Sequence, residues 1–173
     1  MKVEIWSDVA CPFCYIGKHR FEEALGRFGH RDGVTVEYRS FQLDPRAPRE
    51  PEHDLFDVLA RKYGISREQA IGMNHRVAEQ GRETGIEFRF EDVIPSNTFD
   101  ADRLIKFAGR HGKEREVVEL LFEAYFRDGL NVADHATLIG IAEKAGLDRR
   151  AAEDMLRSDA HADEVEADGL EAS

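Results

Sequence analysis

Cysteine is scarce in this chain of 173 residues, which contains only Cys11 and Cys14. Two cysteines cannot form the dense set of disulfides that stabilises many small secreted domains. Hydrophobic residues make up 42% of the sequence, so a sizeable apolar core can be buried instead. The length is typical of one domain, or of a small domain that carries an insertion.

Basic residues are outnumbered, with 24 Lys and Arg against 35 Asp and Glu and a formal net charge of -11. Because phosphate binding requires a basic surface, this charge disfavours nucleic acid and anionic membranes as partners. The sequence also lacks the ~18 consecutive apolar residues of a membrane-spanning helix. Glu4 and Asp8 stand where a signal peptide would have its apolar stretch. We therefore expect a soluble, cytoplasmic protein.

Proline is sparse as well, and three of the five prolines stand together in LDPRAPREPE at 43–52. Regular structure is excluded there, so residues 42–53 are predicted to be a linker. Before it, alternating apolar residues, then helical spacing, then the alternation of VTVEYRSF predict a β-α-β unit over 2–41. After it, the pattern to about Leu170 is mostly helical, although IEFRF at 86–90 could be a short extended piece.

Several helix starts carry capping signals in this second region. The segment SREQ at 66–69 is a capping box, with Ser66 as N-cap. Asp134 and Asp148 are predicted N-caps of two later helices. Asn97 or Thr98 is expected to cap a helix that begins near residue 99.

The two cysteines form a C-x-x-C motif between the first strand and the first helix. Pro12 suits the first helical turn, where its missing N–H costs nothing. Free backbone N–H groups and the helix dipole favour a thiolate at Cys11, and only the thiolate is a good nucleophile. Cys14, one turn further on, can attack a mixed disulfide formed at Cys11. This context is a specific signal for thiol–disulfide chemistry.

Two other interpretations of the cysteines stay open. The first is a pair of buried, unreactive side chains. The second is half of a zinc site completed by His19 or His30. The sequence has no second C-x-x-C and no H-x₃₋₅-H pair, which disfavours zinc.

The segments WSDVACPFCYIGKHRFEEAL, RSFQLDPRAP and PSNTFDADRL together resemble the DsbA family, in particular its FrnE-like branch of dithiol-disulfide isomerases. That branch is related to the 2-hydroxychromene-2-carboxylate isomerases, which use glutathione. The resemblance runs along essentially the whole chain and implies a thioredoxin fold with an all-helical domain inserted after the second strand. It also implies that Asn97 and Thr98 lie near the active-site cleft, unless they only cap a helix.

The sequence departs from this family at two places. Asp102 stands where relatives usually have His, so no role is assigned to it. A thioredoxin fold also needs further strands and a cis-proline loop, but the last proline is Pro95 and no β-branched run follows Ile141. We therefore expect an incomplete thioredoxin-like α/β fold. Its sheet would be covered by a second copy of the chain or by a further tail.

The predicted domains are a β-α-β half at 1–44, a helical insertion at 45–158 and a helical tail at 159–173. The predicted function is that of a thiol–disulfide oxidoreductase or isomerase. Cys11 attacks, Cys14 resolves, Pro12 and Phe13 support the pair, and Trp6 is a further cleft candidate unless it belongs to the core. No cofactor or metal is expected, and the partners are protein or small-molecule thiols and disulfides, with glutathione among the candidates.

Two alternative functions remain. One is a non-catalytic helical interaction domain, in which an incomplete fold leaves the cysteines without a working site. The other is a glutathione-dependent isomerase of a small aromatic compound. Relatives with that activity typically have serine at the position of Cys11, so the intact pair disfavours it.

Overall fold

The computed structural model describes residues 1–172 as a small sheet with a large helical region. In chain order the elements are β1 (Lys2–Ser7), α1 (Pro12–Arg27), β2 (Thr35–Ser40), α2 (Leu55–Tyr63), α3 (Arg67–Glu83), α4 (Phe99–Arg110), α5 (Glu114–Phe126), α6 (His135–Lys144), α7 (Arg149–Arg157) and α8 (Ala162–Glu171). Among these helices, none is long and apolar enough to cross a membrane.

The two strands are parallel, as a β-α-β unit requires. Lys2 lies opposite Thr35 and Ser7 lies opposite Ser40, with α1 connecting the strands. The predicted α/β architecture, a β-α-β unit with a large helical part, is therefore confirmed. The pairing begins at residue 35, just after the short helical turn Arg31–Gly33.

Three predicted helix starts are confirmed. The Ser66 hydroxyl accepts the N–H of Gln69, and the Gln69 side chain accepts the N–H of Ser66. Asp134 and Asp148 each accept the N–H of the residue three positions later. These side chains satisfy backbone donors that the first turn of a helix leaves unpaired.

Residues 86–90 do not form a strand, contrary to the extended piece that the sequence suggested. Instead, the N–H of Arg89 donates to the carbonyl of Phe126 at 2.8 Å, at the end of α5. Ile86 and Phe90 are buried in the main core. The segment is thus an irregular connection whose apolar side chains pack on helices, so its alternation reflects burial rather than strand pairing.

Helix α1 is anchored to α5 by one acidic side chain. The Glu119 carboxylate accepts hydrogen bonds from Tyr15 at 3.0 Å and from Lys18, and it also contacts His19 Nε2 at 3.0 Å. The ring of Tyr15 stacks on Phe122 with 4.7 Å between centroids. Helix α1, which begins after Cys11 and contains Cys14, is therefore held firmly against the helical region. The domain boundaries given above stay a prediction.

The outer edge of β2 is closed by side chains rather than by another strand. Glu114 accepts the N–H of Tyr38, Lys106 donates to the carbonyl of Tyr38 at 3.0 Å, and Asp168 accepts the N–H of Ser40 at 2.9 Å. The opposite edge, that of β1, has no neighbouring strand within residues 1–172. Helices α4, α5 and α8 thus complete one side of the sheet only.

Candidate active site

Cys11 lies at the N-cap of α1, and Pro12 is the first helical residue, as predicted. The backbone at Cys11 is extended, which directs its side chain back over the first turn. There its Sγ accepts the N–H of Cys14 at 3.3 Å. Both cysteines are free thiols. The sulfur of Cys11 therefore takes the place that Ser or Asp usually has as an N-cap.

The pKa values of the two thiols are shifted in opposite directions. The Cys11 thiol donates a hydrogen bond to Cys14, which lowers the pKa of Cys14 to about 6. The same hydrogen bond, together with burial, raises the pKa of Cys11. The expectation from the sequence that a thiolate is favoured at Cys11 stays a prediction. The N–H groups of Cys14 and Phe13 oppose the rise in the pKa of Cys11, because they stabilise a thiolate there.

Asp8 ties the cysteine turn to the rest of the site. Its carboxylate accepts the N–H of Ala10 at 3.0 Å and the N–H of Leu43 at 2.6 Å. Burial raises the pKa of Asp8, although the two N–H groups and the hydroxyl of Thr98 oppose that rise. The backbone of Asp8 in turn stabilises a thiolate at Cys14. Asp8 thus fixes the turn before α1 against the segment that follows β2.

A cleft of about 360 Å³ opens beside Cys11. Its walls come from the start of α1, the linker after β2, helices α2 and α3, the irregular segment before α4 and the end of α5. Most lining side chains are apolar, among them Phe13, Leu59, Val77 and Phe90. This volume lies in the ~300–1,000 Å³ range of ligand pockets. Cys14 is not among the described residues that line it, so only Cys11 faces the cleft.

The predicted cleft residues divide into two groups. Thr98, a predicted cleft residue, belongs to the lining, and so does Phe13, which was predicted to support the cysteine pair and is 58% exposed. Trp6 does not belong to its described lining, because its indole N–H donates to the carbonyl of Asp168 at 3.1 Å, beside α8. Asn97 is also outside that lining, although Ser96 and Thr98 on either side belong to it, so the roles of Trp6 and Asn97 at the cleft stay predictions.

Asn97 instead holds the cleft wall in place. Its amide group donates to the carbonyls of Pro45 and Ala47 at 3.2 and 3.1 Å, and its oxygen accepts the N–H of Phe99 at 2.9 Å. Thr98 occupies the N-cap position of α4, but its side chain makes no capping hydrogen bond. The sequence assigned the capping of α4 to Asn97 or Thr98, and in the structure the two residues divide this role. Thr98 occupies the N-cap position. Asn97 supplies the hydrogen bond and clamps the linker.

Sequence reasoning missed three contributions to the site. The linker prolines Pro48 and Pro51 form part of the cleft wall. The other two are the carboxylate of Asp8, which fixes the cysteine turn, and Asn74, which lines the cleft from α3. A polar residue inside the apolar stripe of α3 was the available signal for Asn74. Within residues 1–172, no three His, Cys, Asp or Glu side chains are grouped as metal ligands.

Comparison with known proteins establishes the family. The model of the DSBA-like thioredoxin domain matches residues 2–173, and the chain belongs to this family. A structure described as a probable DsbA oxidoreductase, SCO1869 from Streptomyces coelicolor, is 41% identical with a TM-score of 0.93. It is matched over 99% of this chain and 74% of that one.

Two further relatives are more distant. The Bacillus subtilis (strain 168) protein YwbO, described as uncharacterized, is 29% identical over 147 residues, which are 84% of this chain and 66% of YwbO. A structure of 2-hydroxychromene-2-carboxylate isomerase is 19% identical with a TM-score of 0.72. It is matched over 99% of this chain and 79% of that one, and at this identity it supports the fold alone.

Proposed function

We propose that this protein is a thiol–disulfide oxidoreductase that reacts through Cys11 and Cys14. The observation that carries the proposal is that the Cys11 sulfur borders the cleft from a helix N-terminus, while Cys14 stands behind it in hydrogen-bonding contact. Membership of the DSBA-like family supports it, as does the likeness to the Streptomyces coelicolor protein.

The reaction has two exchanges. As the proton of the Cys11 thiol passes to the Cys14 thiolate, the Cys11 thiolate attacks one sulfur of a disulfide and expels the other sulfur as a thiolate. Cys14 then gives up that proton and attacks Cys11, which forms the Cys11–Cys14 disulfide and releases the second thiol. Two electrons pass from the protein to the substrate. The reverse sequence oxidises a dithiol, and free thiols recycle the pair without a bound cofactor.

Several finer assignments belong to the same proposal. We place the protein in the FrnE-like branch and in the cytoplasm, and we propose protein or small-molecule thiols, glutathione among them, as its exchange partners. A homodimer that covers the free edge of β1 is a further proposal. The rival remains a non-catalytic helical interaction domain, for which the cysteines are dispensable.

The test is a single turnover of the reduced protein with a disulfide, followed by mass spectrometry. We expect Cys14→Ser to trap a mixed disulfide on Cys11, and Cys11→Ser to react at least tenfold more slowly than the unaltered protein. If Cys14→Ser forms no adduct, or if Cys11→Ser exchanges at the original rate, Cys11 is not the attacking thiol. If neither cysteine reacts, the rival function is favoured.

A further inference from the structure

Asp8 joins the cysteine turn to the wall of the cleft through two hydrogen bonds. One carboxylate oxygen accepts the N–H of Ala10 at 3.0 Å, and the other oxygen accepts the N–H of Leu43 at 2.6 Å. Asp8 is 3% exposed and belongs to the cleft lining. Hydrogen bonds to an ionised carboxylate are roughly twice as strong as those to a neutral group. Because both oxygens already accept an N–H, a proton on either one weakens this connection.

Leu43 is the partner that is free to move away. The chain is anchored before it, where the N–H of Phe41 donates to the end of β1 at 3.0 Å, and after it, where Asn97 clamps the linker. Ala10, by contrast, is held within the tight turn that leads into α1. Leu43 lines the cleft and is 49% exposed. Asp8 therefore holds the middle of a short strap, residues 42–44, at the rim of the cleft.

Several ionisable or polar groups face Asp8 from the elements packed around it. Burial raises the pKa of Asp8, whereas its two N–H donors, the Thr98 hydroxyl and the charge of Lys62 on α2 oppose that rise. Asp102 on α4 and Tyr125 on α5 are further neighbours, and burial raises the pKa of both, which favours their neutral forms. Oxidation of the cysteines leaves the chemistry of all these groups unchanged.

Cys14 is the neighbour whose charge depends on the redox state. In the reduced pair, the hydrogen bond from the Cys11 thiol lowers the pKa of Cys14 to about 6, so Cys14 is a thiolate at neutral pH. The charge of Asp8 opposes this thiolate. Since repulsion between two like charges is mutual, the thiolate disfavours the Asp8 carboxylate to the same extent. A disulfide carries no charge, so oxidation removes the repulsion.

We propose that Asp8 is a redox-dependent positioning residue, which holds Leu43 against the cysteine turn in the oxidised protein and releases it in the reduced protein. The proposal rests on the proposed function, since it requires a disulfide between Cys11 and Cys14. The bond changes are those of the exchanges described above, in which the pair gives two electrons to a substrate disulfide. As the thiolate is consumed, the Asp8 carboxyl releases its proton to water and again accepts the N–H of Leu43 as a carboxylate.

The rim of the cleft then differs between the two halves of the reaction cycle. In the direction that oxidises a dithiol, the substrate meets the oxidised protein, in which Leu43 is fixed in the same cleft as Cys11. Its apolar contact is preorganised, which lowers the entropic cost of binding. After the exchange, the reduced protein holds this side chain less firmly, and release of the product disulfide is favoured.

The test is amide hydrogen exchange of the unaltered protein at pH 7, measured by nuclear magnetic resonance in the reduced and the oxidised form. We expect the N–H of Leu43 to exchange about tenfold faster in the reduced form, the ratio that about one net hydrogen bond gives. The N–H of Phe41, which donates to β1, should exchange at the same rate in both forms. Intact mass after alkylation verifies the redox state of each sample.

The variant Asp8→Asn keeps the size of the side chain and one acceptor oxygen but carries no charge. We expect its Leu43 N–H to exchange at the same rate in both redox forms. Because the repulsion of the Cys14 thiolate is removed, the equilibrium with glutathione should shift about tenfold towards the reduced protein, which is ~30 mV in reduction potential. The matched control is Asp44→Asn, an exposed neighbour of Leu43 whose carboxylate accepts an N–H within the linker. It should keep the redox dependence of the exchange rate.

The outcomes separate the two proposals. Equal exchange of the Leu43 N–H in the two forms of the unaltered protein, or faster exchange in the oxidised form, overturns the inference and leaves the oxidoreductase intact. The same holds if Asp8→Asn keeps the full redox dependence. If the unaltered protein forms no disulfide between Cys11 and Cys14, the proposed function fails and the inference fails with it. The first comparison uses the unaltered protein alone, so it does not depend on how a variant folds.

Discussion

The helical region and the two-stranded sheet bury their apolar residues to very different degrees. Leu104, Leu121 and Leu138, on three different helices, are 0% exposed. In the sheet, by contrast, Ile5 and Val36 are only partly buried at the margin of the core. Helices can surround an apolar side chain from all directions, whereas two strands shield only the face on which a helix packs. The helical region therefore supplies most of the apolar stabilisation in the described chain.

The two edges of the sheet differ in the same way. Along β2, charged side chains from three helices occupy the outward backbone groups. Along the edge of β1 that faces away from β2, no further strand is present within residues 1–172. Backbone groups without partners make an edge available for pairing with another strand. The sheet thus depends on the helical region for its stability at β2, and the two regions are not independent.

The largest effect is expected at the link between α8 and β2. Asp168 is 3% exposed, pairs with the buried Lys106 and also accepts from Arg39. Asp168→Ala leaves Lys106 buried without that charge, which should lower the free energy of unfolding by about 3–5 kcal/mol. Urea denaturation measures the loss. The control is Glu166→Ala, at an exposed position of α8. Equal losses of unfolding free energy in the two variants would show that α8 does not support the sheet.

Truncation of one core residue in each region compares them directly. Leu121→Ala removes a fully buried side chain of α5 and should cost about 2–5 kcal/mol. Ile5→Ala removes a partly exposed one, so its cost should be roughly half as large. Both values come from urea unfolding under the same conditions. A larger loss for Ile5→Ala would reverse the ranking of the two regions.

A smaller effect is expected at Asp102, where the two regions meet. Burial raises the pKa of Asp102 well above its usual range, and the nearby Asp8 adds to this. One oxygen of Asp102 is buried without a partner in the described chain. The folded protein therefore holds this proton to a higher pH than the unfolded chain, which releases it near pH ~3.9. The stabilisation that comes from this tighter binding of the proton is complete below pH ~3.9. It is lost as the pH rises from there towards the pKa of Asp102 in the folded protein.

Asp102→Asn should remove this part of the pH dependence and stabilise the protein at neutral pH by on the order of 1 kcal/mol. The measurement is the melting temperature at pH 5 and at pH 8. The fully exposed Asp32 provides the control variant, Asp32→Asn, which should keep the original pH dependence. A variant Asp102→Asn that melts lower than the unaltered protein at pH 8 would mean that the carboxylate is stabilising.

The smallest change concerns the first turn of α1. The hydrogen bond from Cys11 lowers the pKa of Cys14 to about 6. Cys11→Ala removes this donor, so the pKa of Cys14 should rise towards the usual ~8.5. Ultraviolet absorbance of the thiolate against pH measures both values. The N–H of Asp8 and the hydroxyl of Ser7 also lower the pKa of Cys14, and an unchanged value in the variant would assign the whole effect to them.

Local features of the fold were predictable because they depend on neighbours in the sequence. The capping residues Ser66, Asp134 and Asp148 and the β-α-β unit follow from side-chain chemistry and periodicity within a few positions. The position of Cys11 at a helix N-terminus is of the same kind. Contacts between segments that are far apart in the sequence could not be predicted. Trp6, for example, contacts α8, more than 150 residues further on in the chain.

The cleft illustrates this limit. The prolines after β2 signalled a linker correctly, but no local pattern shows that the linker folds back to form a wall beside Cys11. The roles of Asn97 and Asn74 likewise depend on which segments lie opposite them. The alternation at 86–90 predicted correctly that the apolar side chains are buried. It did not predict what they pack against, because a strand and an irregular buried segment can have the same sequence pattern.

The position of Cys11 at the N-cap couples the stability of a helix to the redox state of the protein. In the reduced pair, the Cys11 sulfur accepts the N–H of Cys14. In a disulfide, the same sulfur is bonded to that of Cys14 and can no longer turn freely towards this N–H, so we expect the first turn of α1 to lose its cap. An N-cap contributes about 0.5–2 kcal/mol, which at ~30 mV per ~1.4 kcal/mol raises the reduction potential by about 10–40 mV. Hydrogen exchange at the N–H of Cys14 should then be faster in the oxidised protein, and equal rates would contradict the coupling. Oxidation of a substrate dithiol would thus be driven in part by the recovery of backbone hydrogen bonding at the start of a helix.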